Sequence, residues 1–91
     1  MTLNTEISPV ELEFWLIERV ASYLRLDTRE VDPQESFANL GLDSVYALTL
    51  TADIEDTLGI EVEPTLAWDY PTISALAKGL TASMRAAKET V

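Results

Sequence analysis

Apolar residues in this chain recur at the spacing of an α-helix, and this pattern constrains the fold more than any other feature. The first such segment opens with helix-start signals: Ser8 is a suitable cap, Pro9 suits the first helical position, and Glu11 completes a capping box. Apolar residues then repeat every four positions and are flanked by Trp15, Ile17 and Ala21; the repeating positions are Leu12, Leu16, Val20 and Leu24. The spacing predicts an amphipathic helix from Pro9 to about Leu24.

Two further segments follow the same pattern. Asp43 is a good N-cap, and a helical pattern runs from there to Leu58, where Gly59 ends it. Thr72 can cap a last helix, whose inner face holds Ile73, Leu76, Ala77, Leu80 and Met84. Residues 65–70 fit a short helix that stops before a proline. We therefore expect an all-α fold, a small antiparallel bundle of three main helices plus one short helix.

A long polar stretch from Arg25 to Asp43 separates the first two helices. Connections of this length are unusual in a compact domain and are often functional. Its apolar residues can pin it to a core: Val31, Phe37, Leu40 and Leu42. Residues 36–41 fit a short helical turn ended by Gly41. Residues 60–64 alternate like a strand, but Pro64 and the lack of a partner strand favour an extended loop.

The second long helix has two apolar sides. One side is expected to face the core and holds Ala47, Leu50, Ile54 and Leu58. A second stripe lies on nearly the opposite side, bordered by Thr49, Asp53 and Asp56, and it consists of Val45, Leu48 and Ala52. A small surface helix needs only one apolar side, so the second stripe predicts a surface for a partner or an apolar cargo. Three aromatic residues are expected in the core or at its edge: Trp15, Trp68 and Tyr70.

Composition limits the chemistry of the chain. Its 91 residues suit one small domain, residues 1–91, with an ordered core at about 8–86 and ends that fray. The chain contains no cysteine and no histidine, which excludes disulfides, thiol nucleophiles and a Ser-His-Asp triad. No signal-peptide pattern and no membrane-spanning apolar run is present, so the expected location is cytoplasmic.

The acidic balance bears on partners. The formal net charge is −10, and all of it belongs to residues 30–77, which hold ten acidic residues and no basic one. Such a surface disfavours nucleic acids and anionic membranes and favours a partner with a basic patch. No window has the acid spacing of a calcium loop, so no metal site is expected.

The sharpest local feature is the run Gly41-Leu42-Asp43-Ser44-Val45, which ends the long loop and opens the second long helix. A serine there exposes its hydroxyl beside free N–H groups that favour a phosphate. Gly41 allows a tight turn and a close approach by another protein. An isolated Asp-Ser pair is, however, also typical of an ordinary helix cap.

The surrounding sequence favours the first interpretation. From Leu12 to Leu80 the chain resembles the phosphopantetheine-dependent carrier proteins, which include acyl carrier proteins and the carriers of polyketide and peptide synthetases. The matching parts occur in the family's order: the first helix, the loop with Phe37, Gly41-Leu42-Asp43-Ser44, the run Leu50/Ile54/Glu55/Leu58-Gly59, Pro64-Thr65-Leu66, Asp69-Tyr70-Pro71-Thr72-Ile73 and Ala75-Leu76-Ala77.

The resemblance implies that Ser44 bears a covalent 4′-phosphopantetheine, at a site that includes Asp43 and Gly41. It implies a non-catalytic, monomeric carrier that holds acyl groups as thioesters, modified from coenzyme A and Mg²⁺ by a phosphopantetheinyl transferase. Further partners would be an acyl-loading enzyme (an acyltransferase or an acyl-adenylating ligase) and a ketosynthase or other synthase domains. Residues expected to meet these partners are Leu42, Val45, Leu48, Thr49, Ala52 and Asp56.

Within the family, residues 65–72 look most like the polyketide-synthase type, although Trp68 replaces a smaller aromatic. Polyketide or lipid assembly is therefore expected, and a peptidyl carrier or a fatty-acid-synthesis carrier remains an alternative. An alternative of another class is an unmodified acidic helical adaptor that docks a basic partner.

Overall fold

The structure is a computed structural model that describes residues 8–89, with side chains to Arg85. The described elements are three long helices, two short ones and a 3₁₀ turn at Thr28–Glu30: α1 (Pro9–Leu24), α2 (Phe37–Leu40), α3 (Ser44–Leu58), α4 (Leu66–Asp69) and α5 (Ile73–Glu89). The predicted all-α class is confirmed, and the helical turn expected before Gly41 forms α2. α5 remains helical to Glu89, whereas the prediction that residues 1–7 fray lies outside the described residues.

α1 begins and ends where its sequence predicts. The Ser8 hydroxyl oxygen accepts the N–H of Glu11 at 3.2 Å, and Pro9 occupies the first turn. At the other end Arg25 takes the left-handed conformation, with φ at 57°, and its N–H donates to the carbonyl of Ala21. Both ends are therefore capped by local backbone chemistry.

One apolar core joins the three long helices, and α1 packs mainly against α5. The predicted inner faces are confirmed: the core includes Leu12, Leu16 and Val20 of α1, Ala47, Leu50, Ile54 and Leu58 of α3, and Ile73, Leu76, Ala77, Leu80 and Met84 of α5. Burial of these side chains is the main term that favours folding of a domain this small.

The long loop between α1 and α3 is fastened to the start of α5 through Ser74. The N–H of Ser74 donates to the carbonyl of Pro33 at 3.0 Å, and its hydroxyl accepts the amide of Gln34 at 2.9 Å. The same hydroxyl donates to the carboxylate of Glu13 on α1 at 3.1 Å. One buried serine therefore links the loop to two long helices.

A second fastening lies just before α2. Ser36 and Thr72 form an isolated bridge, and the N–H of Phe37 donates to the carbonyl of Pro71 at 2.8 Å. The side chains of Phe37 and Val31 are buried in the core, as predicted from their apolar character. These contacts fix the end of the loop, and with it the position at which α3 begins.

Close packing also holds α4 against α5. The ring of Tyr70, at the end of α4, lies so near Gly79 of α5 that a β-carbon on Gly79 would stand 2.6 Å from the ring carbon Cζ. Gly79 is therefore required by packing, which explains a residue that is otherwise unfavourable inside a helix. Residues 60–64 form no strand and connect α3 to α4 as an extended loop, as predicted.

Candidate functional site

The start of α3 is built by three successive residues. Gly41 has a φ of 97°, a left-handed conformation that favours glycine, and its N–H donates to the carbonyl of Ala38. Asp43 caps the helix, and its carboxylate accepts the N–H of Tyr46 at 3.0 Å. The sharp turn and the cap together place Ser44 as the first residue of α3.

The Ser44 side chain is exposed to solvent beside free backbone donors. Among residues 8–89, the N–H groups of Ser44 and Val45 have no acceptor, because the cap serves Tyr46 and the Asp43 carbonyl serves Ala47. The positive end of the α3 dipole adds to the field of these donors. A phosphodiester on the Ser44 oxygen would therefore be stabilised, which is the chemistry that a phosphopantetheine attachment site requires.

Leu42 differs from its predicted role. We predicted that it contacts partners, but only 8% of its side chain is exposed, and it belongs to the core cluster. Its N–H donates to the carbonyl of Phe37 at 2.9 Å, which folds the residue inward. Leu42 therefore anchors the loop below Ser44 and is not part of the free surface, as its apolar side chain in a long loop also suggests.

The second apolar stripe of α3 is exposed, as expected. The exposed fractions are 67% for Val45 and 56% for Leu48, and Thr49, Ala52 and Asp56 are exposed with them. The Thr49 hydroxyl donates to the carbonyl of Val45 at 3.0 Å and so presents its methyl group outward with the stripe. These residues form an open apolar face that continues directly from Ser44, and we call it the α3 face.

An apolar cleft lies on the other side of Ser44. It has a volume of about 100 Å³ and is bordered by Asp43 and Ala47 of α3, Ser36, Phe37 and Ala38 at α2, Leu42, Ala67, Trp68 and Pro71. The prediction that Trp68 lies in the core or at its edge is wrong, because 69% of this side chain is exposed. The four-residue α4 turns only Leu66 and Ala67 toward the core, and this leaves Trp68 at the rim of the cleft.

A tyrosine pair that the sequence analysis missed supports α3 from behind. The Tyr23 hydroxyl donates to the carboxylate of Asp53, and the rings of Tyr23 and Tyr46 stack with centroids 5.9 Å apart. Burial, together with the bond to Asp53, raises the pKa of Tyr23 well above its ordinary value. Because Tyr23 and Asp53 are 30 residues apart, no local pattern could have indicated their contact.

Charge around the site is largely unpaired. Within residues 8–89 the acids of the segment 30–77 form no ion pair, and the Arg29–Asp27 pair lies outside that segment. No group of three or more acidic side chains in the described part could hold a metal ion. The described helices include none that is both long and apolar enough to cross a membrane. The open negative charge is therefore available to a basic partner.

Comparisons with known proteins agree with this site. Residues 15–80 match the family model described as a phosphopantetheine attachment site. The chain is 41% identical over 70 residues to 6-methylsalicylic acid synthase of Penicillium expansum, in an alignment that covers 72% of this chain and 4% of that protein. The chain thus spans about 4% of the length of the curated relatives it matches.

Solved structures with the same fold are carrier proteins. A free-standing peptidyl carrier protein from Acinetobacter baumannii aligns with a TM-score of 0.82 and 39% identity, over 85% of this chain and 96% of that one. An acyl carrier protein from Anabaena sp. PCC 7120, with a variant phosphopantetheinylation-site sequence, aligns with a TM-score of 0.81 and 38% identity, over 92% and 94% of the two chains.

Proposed function

Because the chain belongs to the phosphopantetheine attachment-site family of carrier proteins, we propose that Ser44 is the residue to which 4′-phosphopantetheine is attached. The observation that supports this most strongly is the exposed Ser44 hydroxyl beside two unpaired N–H groups at the start of α3. The matched range 15–80 includes this residue. Asp43 and Gly41 act by position, since one caps the helix and the other makes the turn.

The residues at the start of α3 suit a phosphodiester more than they suit catalysis. The free N–H groups of Ser44 and Val45 would stabilise its negative charge, while the Asp43 carboxylate stays engaged with Tyr46. When bound, the prosthetic group supplies a terminal thiol that holds acyl groups as thioesters. The chain itself has no cysteine, so that thiol is the chemistry that it lacks.

A separate enzyme carries out the attachment in this proposal. The chain has no histidine, and no residue in the described part accepts a hydrogen bond from the Ser44 hydroxyl as a base would. Ser44 is therefore a substrate for a phosphopantetheinyl transferase that uses coenzyme A and Mg²⁺. The protein is a non-catalytic carrier in the cytoplasm.

The α3 face is the proposed meeting point for successive enzymes. It joins apolar contact at Val45 and Leu48 to negative charge at Asp56, and it begins beside Ser44. Partners with a basic rim and an apolar centre match this combination. Binding is expected to weaken with salt, which suits a carrier that must leave each enzyme for the next.

The proposed pathway is polyketide or lipid assembly, because the aligned relatives are polyketide synthases. An acyltransferase or an acyl-adenylating ligase would load the arm, and a ketosynthase would take the acyl group from it. A peptidyl carrier is the second candidate, favoured by the likeness to the free-standing peptidyl carrier. Loading of the modified protein by an acyltransferase or, instead, by an amino-acid-adenylating domain separates the two.

The attachment itself is tested by intact mass. Purified protein is incubated with coenzyme A, Mg²⁺ and a broad-specificity transferase, and we expect a gain of one phosphopantetheinyl group. Ser44→Ala should abolish the gain, whereas Thr49→Ala, which removes a hydroxyl farther along the same helix, should retain it. A gain that survives Ser44→Ala contradicts the assignment, and no gain at all favours an unmodified adaptor.

A further inference from the structure

The cleft beside Ser44 and the exposed indole at its rim have no role in the fold or in the attachment reaction. Their closeness to Ser44 follows from Asp43, the preceding residue, which borders the cleft together with Ala47 one turn later. Trp68 is the most exposed of the large apolar side chains in the described residues, at 69%. An indole left this open presents much more apolar area than a small domain normally exposes without use.

We propose that this cleft and Trp68 form a docking site for the branched, dimethyl-bearing pantoyl part of the phosphopantetheine arm. The proposal rests on the proposed attachment at Ser44. It assigns to the chain a resting position for the arm, on the opposite side of Ser44 from the α3 face. The arm then lies away from solvent between encounters and leaves the cleft when a partner binds.

The size of the cleft distinguishes the arm from its cargo. A dry cavity of about 150 Å³ is known to hold a benzene ring, so a cleft of about 100 Å³ holds a smaller, branched apolar group. A quaternary carbon with two methyl groups meets that limit, whereas a growing acyl chain exceeds it. The lining agrees, because apart from Ser36 and Asp43 it consists of apolar residues and backbone.

Attachment also determines the occupant. A group tethered to Ser44 has a high effective concentration at the cleft, so weak apolar contact is enough to hold it there. The α3 face offers no comparable hollow: Val45 and Leu48 project from an open helix surface, where an arm would remain in water. The cleft is therefore the better resting place, and the α3 face stays free for partners.

Fluorescence quenching of Trp68 tests this docking. The chain has two tryptophans, so Trp15→Phe makes Trp68 the only indole that reports. The quenching constant with acrylamide is compared between the unmodified protein and the protein that carries the arm with a free thiol. We expect the arm to lower the constant by about half, because one face of an indole that is 69% exposed becomes covered.

A matched pair of substitutions locates the effect. Ala38→Leu fills the cleft from an exposed position, and with the arm attached it should keep the quenching constant of the unmodified protein. Ala52→Leu adds the same group to the α3 face, away from the cleft, and should leave the drop in quenching intact. Circular dichroism of both variants checks that the helices are retained.

The outcomes separate this inference from the proposed function. A mass gain at Ser44 with no change in Trp68 quenching overturns the docking site and leaves the attachment standing. A change that occurs only after an acyl group is loaded also overturns it, because the cargo is then the occupant. Equal effects of Ala38→Leu and Ala52→Leu place the contact elsewhere. If Ser44 gains no mass, the attachment fails, and this inference fails with it.

Discussion

Replacing Gly79 by alanine probes the contact that holds α4, and with it Trp68, against α5. The added β-carbon would stand 2.6 Å from Cζ, 2.7 Å from Cε1 and 3.0 Å from Cε2 of the Tyr70 ring. Carbon atoms are at their best separation at about 3.5–4.0 Å, so the ring must move by about 1 Å. Tyr70 packs against the core, and a shift of this size opens space beneath it.

Two opposing terms give the magnitude of the effect. Alanine is favoured over glycine inside a helix by about 1 kcal/mol. Overpacking of a close-packed site costs about 1–3 kcal/mol, and three ring atoms inside the contact limit indicate the upper end. We therefore expect Gly79→Ala to lower the free energy of unfolding by about 2 kcal/mol, and the melting temperature by about 8–16 °C for a domain of this size.

A double-mutant cycle measured by thermal denaturation tests this reasoning. In a Tyr70→Ala background the clash is absent, so Gly79→Ala should become stabilising, by up to about 1 kcal/mol. Ala82→Gly, at an exposed position of the same helix, calibrates the propensity term and should cost about 1 kcal/mol. The reasoning is refuted if Gly79→Ala raises the melting temperature of the native chain, or if the loss is the same with and without the Tyr70 ring.

Three further predictions concern α3 and the charge around it. Asp43→Ala removes the acceptor for the Tyr46 N–H and should cost about 1 kcal/mol in urea denaturation, whereas Asp43→Asn should retain most of the cap; equal losses would contradict the capping role. The pKa of Tyr23 is raised by burial and by its bond to Asp53, so the unfolded chain loses this proton first; stability should therefore fall as the pH rises above about 10, more steeply in the native chain than in Tyr23→Phe, and parallel curves would contradict the shift. Raising NaCl from about 0.02 M to about 0.5 M should increase the melting temperature, because it screens repulsion among the ten acids of residues 30–77, and a decrease would contradict this account.

The long helices and the attachment serine could be predicted because their signals are local. The capping residues Ser8 and Asp43 lie next to apolar repeats, and a helix start depends on only a few neighbouring residues. The core faces followed from the same period. Gly41 and Gly59 both take left-handed conformations where the helices before them end.

The surroundings of the serine were less predictable because they depend on contacts between distant segments. Whether Leu42 faces a partner or the core depends on how the loop is fastened to the start of α5, through bonds such as that from Phe37 to Pro71. Trp68 was expected near the core because large aromatics usually are, but a four-residue helix has too few positions to turn all its apolar residues inward. The Tyr23–Asp53 bond likewise joins residues from two helices.

Modification of Ser44 is the central claim, and intact mass spectrometry with peptide mapping tests it most directly. After incubation with coenzyme A, Mg²⁺ and a phosphopantetheinyl transferase, we predict one added phosphopantetheinyl group on the peptide that contains Ser44, and none in Ser44→Ala. An unmodified native protein, under conditions in which a known carrier is fully modified, would contradict the account, as would a group attached to any other residue.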